Sequence, residues 1–139
     1  LFLQNYRAMP ELETVIIAHG ELLKPGQKHK KVVAWYNVPP SETFIADTFK
    51  KAIGNDIFGI ISSPYRFADE NSLSIILKIF NSDPNKVAMV QAEESSPSSP
   101  MLFINMRLIP SQGFNLKNFG SFCQEKGYTT FNVAGLFTK

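Results

Sequence analysis

The chemically capable side chains of this 139-residue chain are few, and His19 is the best placed of them. It stands in "TVIIAHG", residues 14–20, directly after a β-branched apolar run. In open α/β sheets, ligands bind outside the carboxyl ends of strands. A neutral imidazole there can take a proton near physiological pH. Gly20 would let a substrate backbone approach closely. The same two residues also fit a plain strand end, with His19 bonded locally and Gly20 needed for the turn. Cys123 is the one thiol, and a nucleophilic thiol needs a base within reach and a lowered pKa. Its position between Phe119 and Gly127, on the apolar side of an expected helix, suits packing instead. Lys28, His29, Lys30 and Lys31 form a basic run that could meet phosphates or an acidic partner. Such a run on a loop is more often a solvated surface.

Other chemistries lack their residues. One cysteine and two histidines cannot make a structural Cys/His zinc site. The acidic pairs Asp69-Glu70 and Glu93-Glu94 are sequence neighbours in loops, which gives no defined acid/base geometry. No phosphate loop, dinucleotide fingerprint, GxSxG elbow or HExxH is present, so neither metal nor cofactor is expected. The net charge of +2, from 14 basic against 12 acidic residues, argues against dedicated nucleic-acid binding. Trp35 and Tyr36 do not form the aromatic-and-basic pattern of an RNA-binding module. No apolar run approaches the ~20 residues that span a bilayer. The opening "LFLQNYRAMPE" lacks the basic start and apolar core of a signal peptide. A single cysteine suits a reducing compartment, or a secreted protein that needs no bridges.

The elements that would position these residues follow from hydrophobic pattern and breakers. Length predicts one domain over 1–139. "TVIIA" (14–18) and "KVVAWYNV" (31–38) read as strands, the first of the continuously apolar kind found inside parallel or mixed sheets. Pro39-Pro40 ends the second, and Pro25-Gly26 marks an exposed turn between them. The spacing of Phe44, Ile45, Thr48, Phe49 and Ile53 predicts a helix over 41–54, with Gly54 at its C-cap, although "ETFIA" also fits the start of a strand. Strands are expected at 56–63, 86–92 and 101–109. "SLSIILKIF" (72–80) fits a strand or a helix face equally well. "EESSPSSP" (93–100) reads as a mobile exposed connection. A helix over 115–127 has Asn115 as N-cap, Leu116, Phe119 and Cys123 on one face, and Gly127 as C-cap. It runs at once into a strand over 128–137, read as buried and as half of a βαβ crossover, which argues for parallel pairing. The expected architecture is a single α/β domain: a mixed, mostly parallel sheet with helices packed on its faces.

A strand ending in His-Gly resembles the histidine motif of caspase-like (clan CD) cysteine peptidases, which carry Ala-Cys after a neighbouring parallel strand. The pieces "VIIAHG", "WYNVPP" and "EKGYTTFNVAG" also look similar, in order, to the putative adhesin Stv-like domains of bacteria. Together they cover the first third and last sixth of the chain. The resemblance implies that Ala134-Gly135 stands where Ala-Cys would be, so the base would be kept and the nucleophile lost. It therefore implies a non-catalytic, pseudoenzyme-like domain that binds a protein or peptide in a cleft beside His19. Gly20, Ala134 and Gly135 would contribute to that cleft, and a bacterial secreted or effector-like role would fit. The alternative is a hydrolase with His19 as general base and another nucleophile or an activated water. A further option is anion binding through Lys28, Lys30 and Lys31. Exposed strand edges offer a route to a homodimer.

Overall fold

The computed structural model describes residues 14–19, 32–36, 41–51, 56–69, 71–109 and 115–139. A six-stranded sheet carries the fold, built from β1 (Thr14–His19), β2 (Val32–Tyr36), β3 (Ile57–Ser62), β5 (Val87–Ala92), β6 (Met101–Asn105) and β7 (Thr129–Val133). Its order is β2-β1-β3-β6-β5-β7. A second, two-stranded ribbon pairs β4 (Arg66–Phe67) with β8 (Phe137–Thr138). The α-helices among the described residues are α1 (Glu42–Lys51), α2 (Ser72–Ser82) and α3 (Phe119–Lys126). The α/β class and the mixed sheet agree with the sequence reading.

The expected strand direction does not. Four of the five pairings in the sheet are antiparallel, and only β5–β7 is parallel. The physical reason lies in what a continuous apolar run encodes. It encodes burial on both faces, which is usual in parallel sheets but not confined to them. Every residue of β3 and β6 is buried. Direction is set instead by connections, and the one joining β5 to β6 is a short hairpin link rather than a crossover. The parallel partner expected for the last strand is present, as β5.

Alternation along the central strands sends side chains to two apolar clusters. Ile57, Ile61, Met101 and Phe103 join Ile76, Leu77 and Phe80 of α2 on one face. Phe58, Ile60, Leu102 and Ile104 join Ile45 and Phe49 of α1 and Phe119 and Cys123 of α3 on the other. In β5 the register slips between Val87 and Met89, against β7. That bulge puts Val87 on the α2 side together with Val90 and Ala92, while Met89 faces α1 and α3.

Residues 72–82, open to either reading in sequence, form α2. A strand would put Lys78 on the same side as Ile76 and Phe80. The helix instead buries Ile76, Leu77 and Phe80 and leaves Lys78 exposed. Burying each such side chain contributes ~1.5–3 kcal/mol. The start of α1 is fixed by Ser41, whose Oγ accepts from the Phe44 N–H at 3.2 Å. Its expected cap at Gly54 lies outside the described residues.

Two expected strands are shorter than their apolar runs. The run at 101–109 is strand only to Asn105, and 106–108 is a 3-10 turn. Asn105 stops it. Its Oδ1 accepts from the Arg107 N–H at 3.1 Å, and its Nδ2 donates to the carbonyls of Pro84 (2.9 Å) and Val87 (3.0 Å). The buried amide is thereby satisfied on both sides, and it ties the end of β6 to the start of β5. The run at 128–137 is strand only to Val133, because the chain turns at Gly135 with φ 78°, and as the last strand of the sheet order it leaves Thr130, Phe131 and Asn132 exposed rather than buried. The helix expected over 115–127 opens with a 3-10 turn at 116–118, and Asn115 accepts there from the Lys117 N–H at 3.0 Å. Gly127 closes α3 in the left-handed conformation, φ 71°.

Gly59 and Phe103 are direct cross-strand partners, and a β-carbon on Gly59 would run into the Phe103 ring. Gly59→Ala should therefore destabilise the protein by about 1–3 kcal/mol through overpacking, measured by urea unfolding. Combining it with Phe103→Leu should recover part of that loss. Strict additivity of the two costs would show that the contact does not matter.

Candidate functional site

Among the described residues, those singled out in the sequence do not converge. His19 is the last residue of β1 and lies opposite Ile57, which in turn faces Asn105. Ala134 and Gly135 follow Val133, which pairs with Ala92. Three strands, β3, β6 and β5, separate β1 from β7, so the two are ~19 Å apart across the sheet at the usual strand spacing. The pairings also make β1 and β7 run in opposite senses. Val15 is the β1 residue level with the Val133 end, through Ile61 and Met101. His19 is four residues further along, ~13 Å at the usual rise per residue. The juxtaposition of adjacent parallel strands that the caspase-like resemblance implies is thus not met. The cleft expected between His19 and Ala134-Gly135 is not formed by these residues.

The glycine at 135 has a different reason to be there. Its positive φ makes the turn that sends the chain from β7 to β8, and both Ala134 and Gly135 are exposed. Gly20, Lys28, Lys30 and Lys31 lie outside the described residues. Asp69, read as a loop acid, accepts from the Asn71 N–H at 2.7 Å just before α2.

Cys123 is buried at 1% exposure in the apolar cluster beneath α1 and α3, as its helical spacing suggests. Burial pushes its thiol pKa up, since the thiolate is the form that low polarity disfavours. Among the described residues, no group of three or more His, Cys, Asp or Glu side chains could hold a metal ion. No helix among them is long and apolar enough to cross a membrane.

Among the described residues a concave site does form, at the end of the sheet away from His19. It is a cleft of about 200 Å³ on the α1/α3 face. Ile45, Leu102 and Pro100, all buried, supply its apolar surface. Gln91, Ser95 and Ser96 supply hydrogen-bonding groups. Glu42 and Lys117 stand at 3.6 Å from each other, a solvent-exposed ion pair between α1 and the 3-10 turn before α3.

The 93–100 connection shapes this wall. The Ser95 and Ser96 N–H groups donate to the carbonyls of Ala92 (3.0 Å) and Ser99 (3.3 Å). The Met101 N–H donates to Ser95 Oγ at 2.9 Å, and the Ser99 N–H to Ser96 Oγ at 3.1 Å. Ser62, buried at the end of β3, donates through its hydroxyl to the Pro100 carbonyl at 2.7 Å. Gln91 is held from the other side, its Nε2 donating to Asn132 Oδ1 at 2.8 Å.

None of the residues read in sequence as catalytic or binding candidates lines this cleft; Ile45 and Leu116 were read only as helix-face residues. The signal that could have found it was the Ser/Pro segment itself. It is too short for a crossover and joins two buried strands, so it must form a hairpin that presents its serines beside the sheet. No family model, curated protein or solved structure matches the chain.

The folded chain keeps the Cys123 proton where the unfolded chain has released it. Stability should therefore fall as pH rises above about 9, the ordinary value of the thiol, and Cys123→Ala should flatten that decline. Alkylation of native Cys123 should be at least ~10-fold slower than in the denatured chain. An alkylation profile with its inflection below pH 8 would instead mark an activated thiolate.

Proposed function

We propose that this chain is a non-catalytic protein-interaction domain, and that the cleft beside the 93–100 hairpin takes an apolar side chain of a peptide partner. The observation that carries this reading is the size and lining of the cleft. At about 200 Å³ it falls below the ~300–1,000 Å³ typical of sites that enclose a small-molecule ligand. A volume of that order suits one inserted side chain. Ile45, Leu102 and Pro100 offer it an apolar bed, which returns ~25 cal/mol for each Å² of apolar surface removed from water.

The polar groups around the bed suit a peptide backbone. Ser95 Oγ already accepts from the Met101 N–H, so its hydroxyl proton can go to a partner carbonyl. The Gln91 amide oxygen can accept from a partner N–H, while its Nε2 donates to Asn132. Glu42 and Lys117 at the mouth select against like charges next to the anchor, although as an exposed pair they add little to stability.

A hydrolase built on His19 places its chemistry at the opposite end of the sheet, and the two readings part in one experiment. A displayed library of short peptides is selected on the wild-type chain, and the enriched sequences are rebound to Gln91→Trp and His19→Ala. Enriched peptides should share an apolar anchor. They should lose at least ~10-fold in affinity on Gln91→Trp, which fills the cleft, and be unchanged on His19→Ala. Peptides that bind Gln91→Trp as well as wild type would overturn the cleft as the binding site.

A further inference from the structure

The outer edge of β7 is a second exposed feature, made of residues that do not line the cleft. β7 reads Thr-Thr-Phe-Asn-Val and is the last strand of the sheet order, with no strand on its outer side among the described residues. Thr130, Phe131 and Asn132 are exposed, Phe131 at 38%. Natural sheets usually blunt such an edge with a lysine, a proline, a bulge or a covering segment. This strand contains no charge, proline or glycine. Its bulge with β5 displaces the β5 side.

The direction of its free backbone groups can be read from two inner hydrogen bonds. The Thr129 N–H donates inward to the Lys86 carbonyl at 2.9 Å, and the Val133 carbonyl accepts inward from the Glu93 N–H at 2.9 Å. Residues 129, 131 and 133 therefore spend their polar groups on β5. The N–H and C=O of Thr130 and Asn132 point away from the sheet.

We infer that this edge pairs with the same edge of a second copy of the chain, antiparallel and centred on Phe131. A two-fold axis at Phe131 sets Thr130 of one copy opposite Asn132 of the other, and each such pair exchanges two hydrogen bonds, four in all. Thr129 then faces Val133, and Phe131 faces its own symmetry mate. Phe131 has its backbone groups turned inward, so this central pair is of the non-hydrogen-bonded kind. Its Cα atoms stand ~4.5 Å apart and its side chains close together. The two rings then cover each other.

Charge favours the same occupant and the same direction. Exposed Lys86 and Lys126 flank the start of β7, with Glu125 beside them. Exposed Glu93 and Glu94 flank its end. An antiparallel dimer brings the basic end of each copy toward the acidic end of the other, at ~14 Å between Lys86 and Glu93 backbones by strand spacing. Parallel pairing would align like ends. A net charge of +2 on each copy opposes association only weakly.

Sedimentation velocity of the full chain, taken to about millimolar concentration, should show a reversible monomer–dimer equilibrium. Phe131→Lys should weaken it at least ~10-fold while leaving the circular dichroism unchanged, because the side chain is exposed. Thr130→Pro removes an outward donor only and should do the same. Under mild oxidation, Phe131→Cys should form a disulfide-linked dimer, since its opposed Cα atoms fall within the ~4.4–6.8 Å that a bridge spans. Thr130→Cys, whose partner across the axis is Asn132, should not. A chain that stays monomeric throughout would overturn the proposal, as would a dimer untouched by Phe131→Lys. Neither result overturns peptide capture in the cleft, which is read by Gln91→Trp.

Discussion

The ring of Phe103 lies over the backbone of Gly59, and much of the layered arrangement follows from that contact. With no side chain at 59, the α2 face of the central strands has room for a full aromatic ring. Phe67 and Phe137 lie against the Phe103 ring at 6.2 Å and 6.4 Å, and stack on each other at 5.5 Å. Phe67 belongs to β4 and Phe137 to β8, so this aromatic cluster draws two distant pieces of chain into one ribbon over the sheet. Reaching that ribbon obliges the chain to leave β7 after Val133. The left-handed turn at Gly135 and the short length of β7 are consequences of where Phe137 must go.

Two buried polar side chains then hold the ends of the central strands, and each does so by satisfying backbone groups that strands cannot. Asn105 joins the close of β6 to the approach to β5, with its amide donating twice and accepting once. At the other end Ser62 donates to the Pro100 carbonyl and anchors the hairpin against β3. Leaving such buried groups unpaired costs ~1–3 kcal/mol each. The cleft wall is therefore fixed from beneath by Ser62 and from the side by Gln91–Asn132. A loop rich in serine and proline becomes a defined surface because its neighbours supply the hydrogen bonds.

Much of the element content was legible in the sequence, because apolar spacing and breakers are local. Ser41, Gly127 and the Leu116–Phe119–Cys123 spacing all do what their positions suggest. What local pattern does not carry is pairing direction. β3 and β6 are apolar throughout because both faces are covered, and that signature is the same for either direction. The misreading of direction propagated to the site. A His-Gly at a strand end marks a ligand crevice only when neighbouring strands end on the same side, and here the strands beside β1 run the other way. The cleft went unseen because it is made by residues far apart in sequence, Ile45, Gln91, Leu102 and Leu116 among them. None of these has side-chain chemistry that stands out alone.

The two surfaces are mechanically joined through one hydrogen bond. Gln91 lines the cleft on β5, and its amide reaches Asn132 on β7, whose backbone groups lie at the open edge. A strand added at that edge would restrain the backbone of Asn132 and, through its Oδ1, the Gln91 rotamer. The coupling can only be modest, because this is a single exposed hydrogen bond with a net value of ~0.5–1.5 kcal/mol. It nonetheless has a definite sign. Ordering Gln91 in advance lowers the entropy that a cleft ligand must remove on binding, so edge pairing would favour peptide capture rather than oppose it. By reciprocity, a peptide in the cleft would favour pairing at the edge to the same extent.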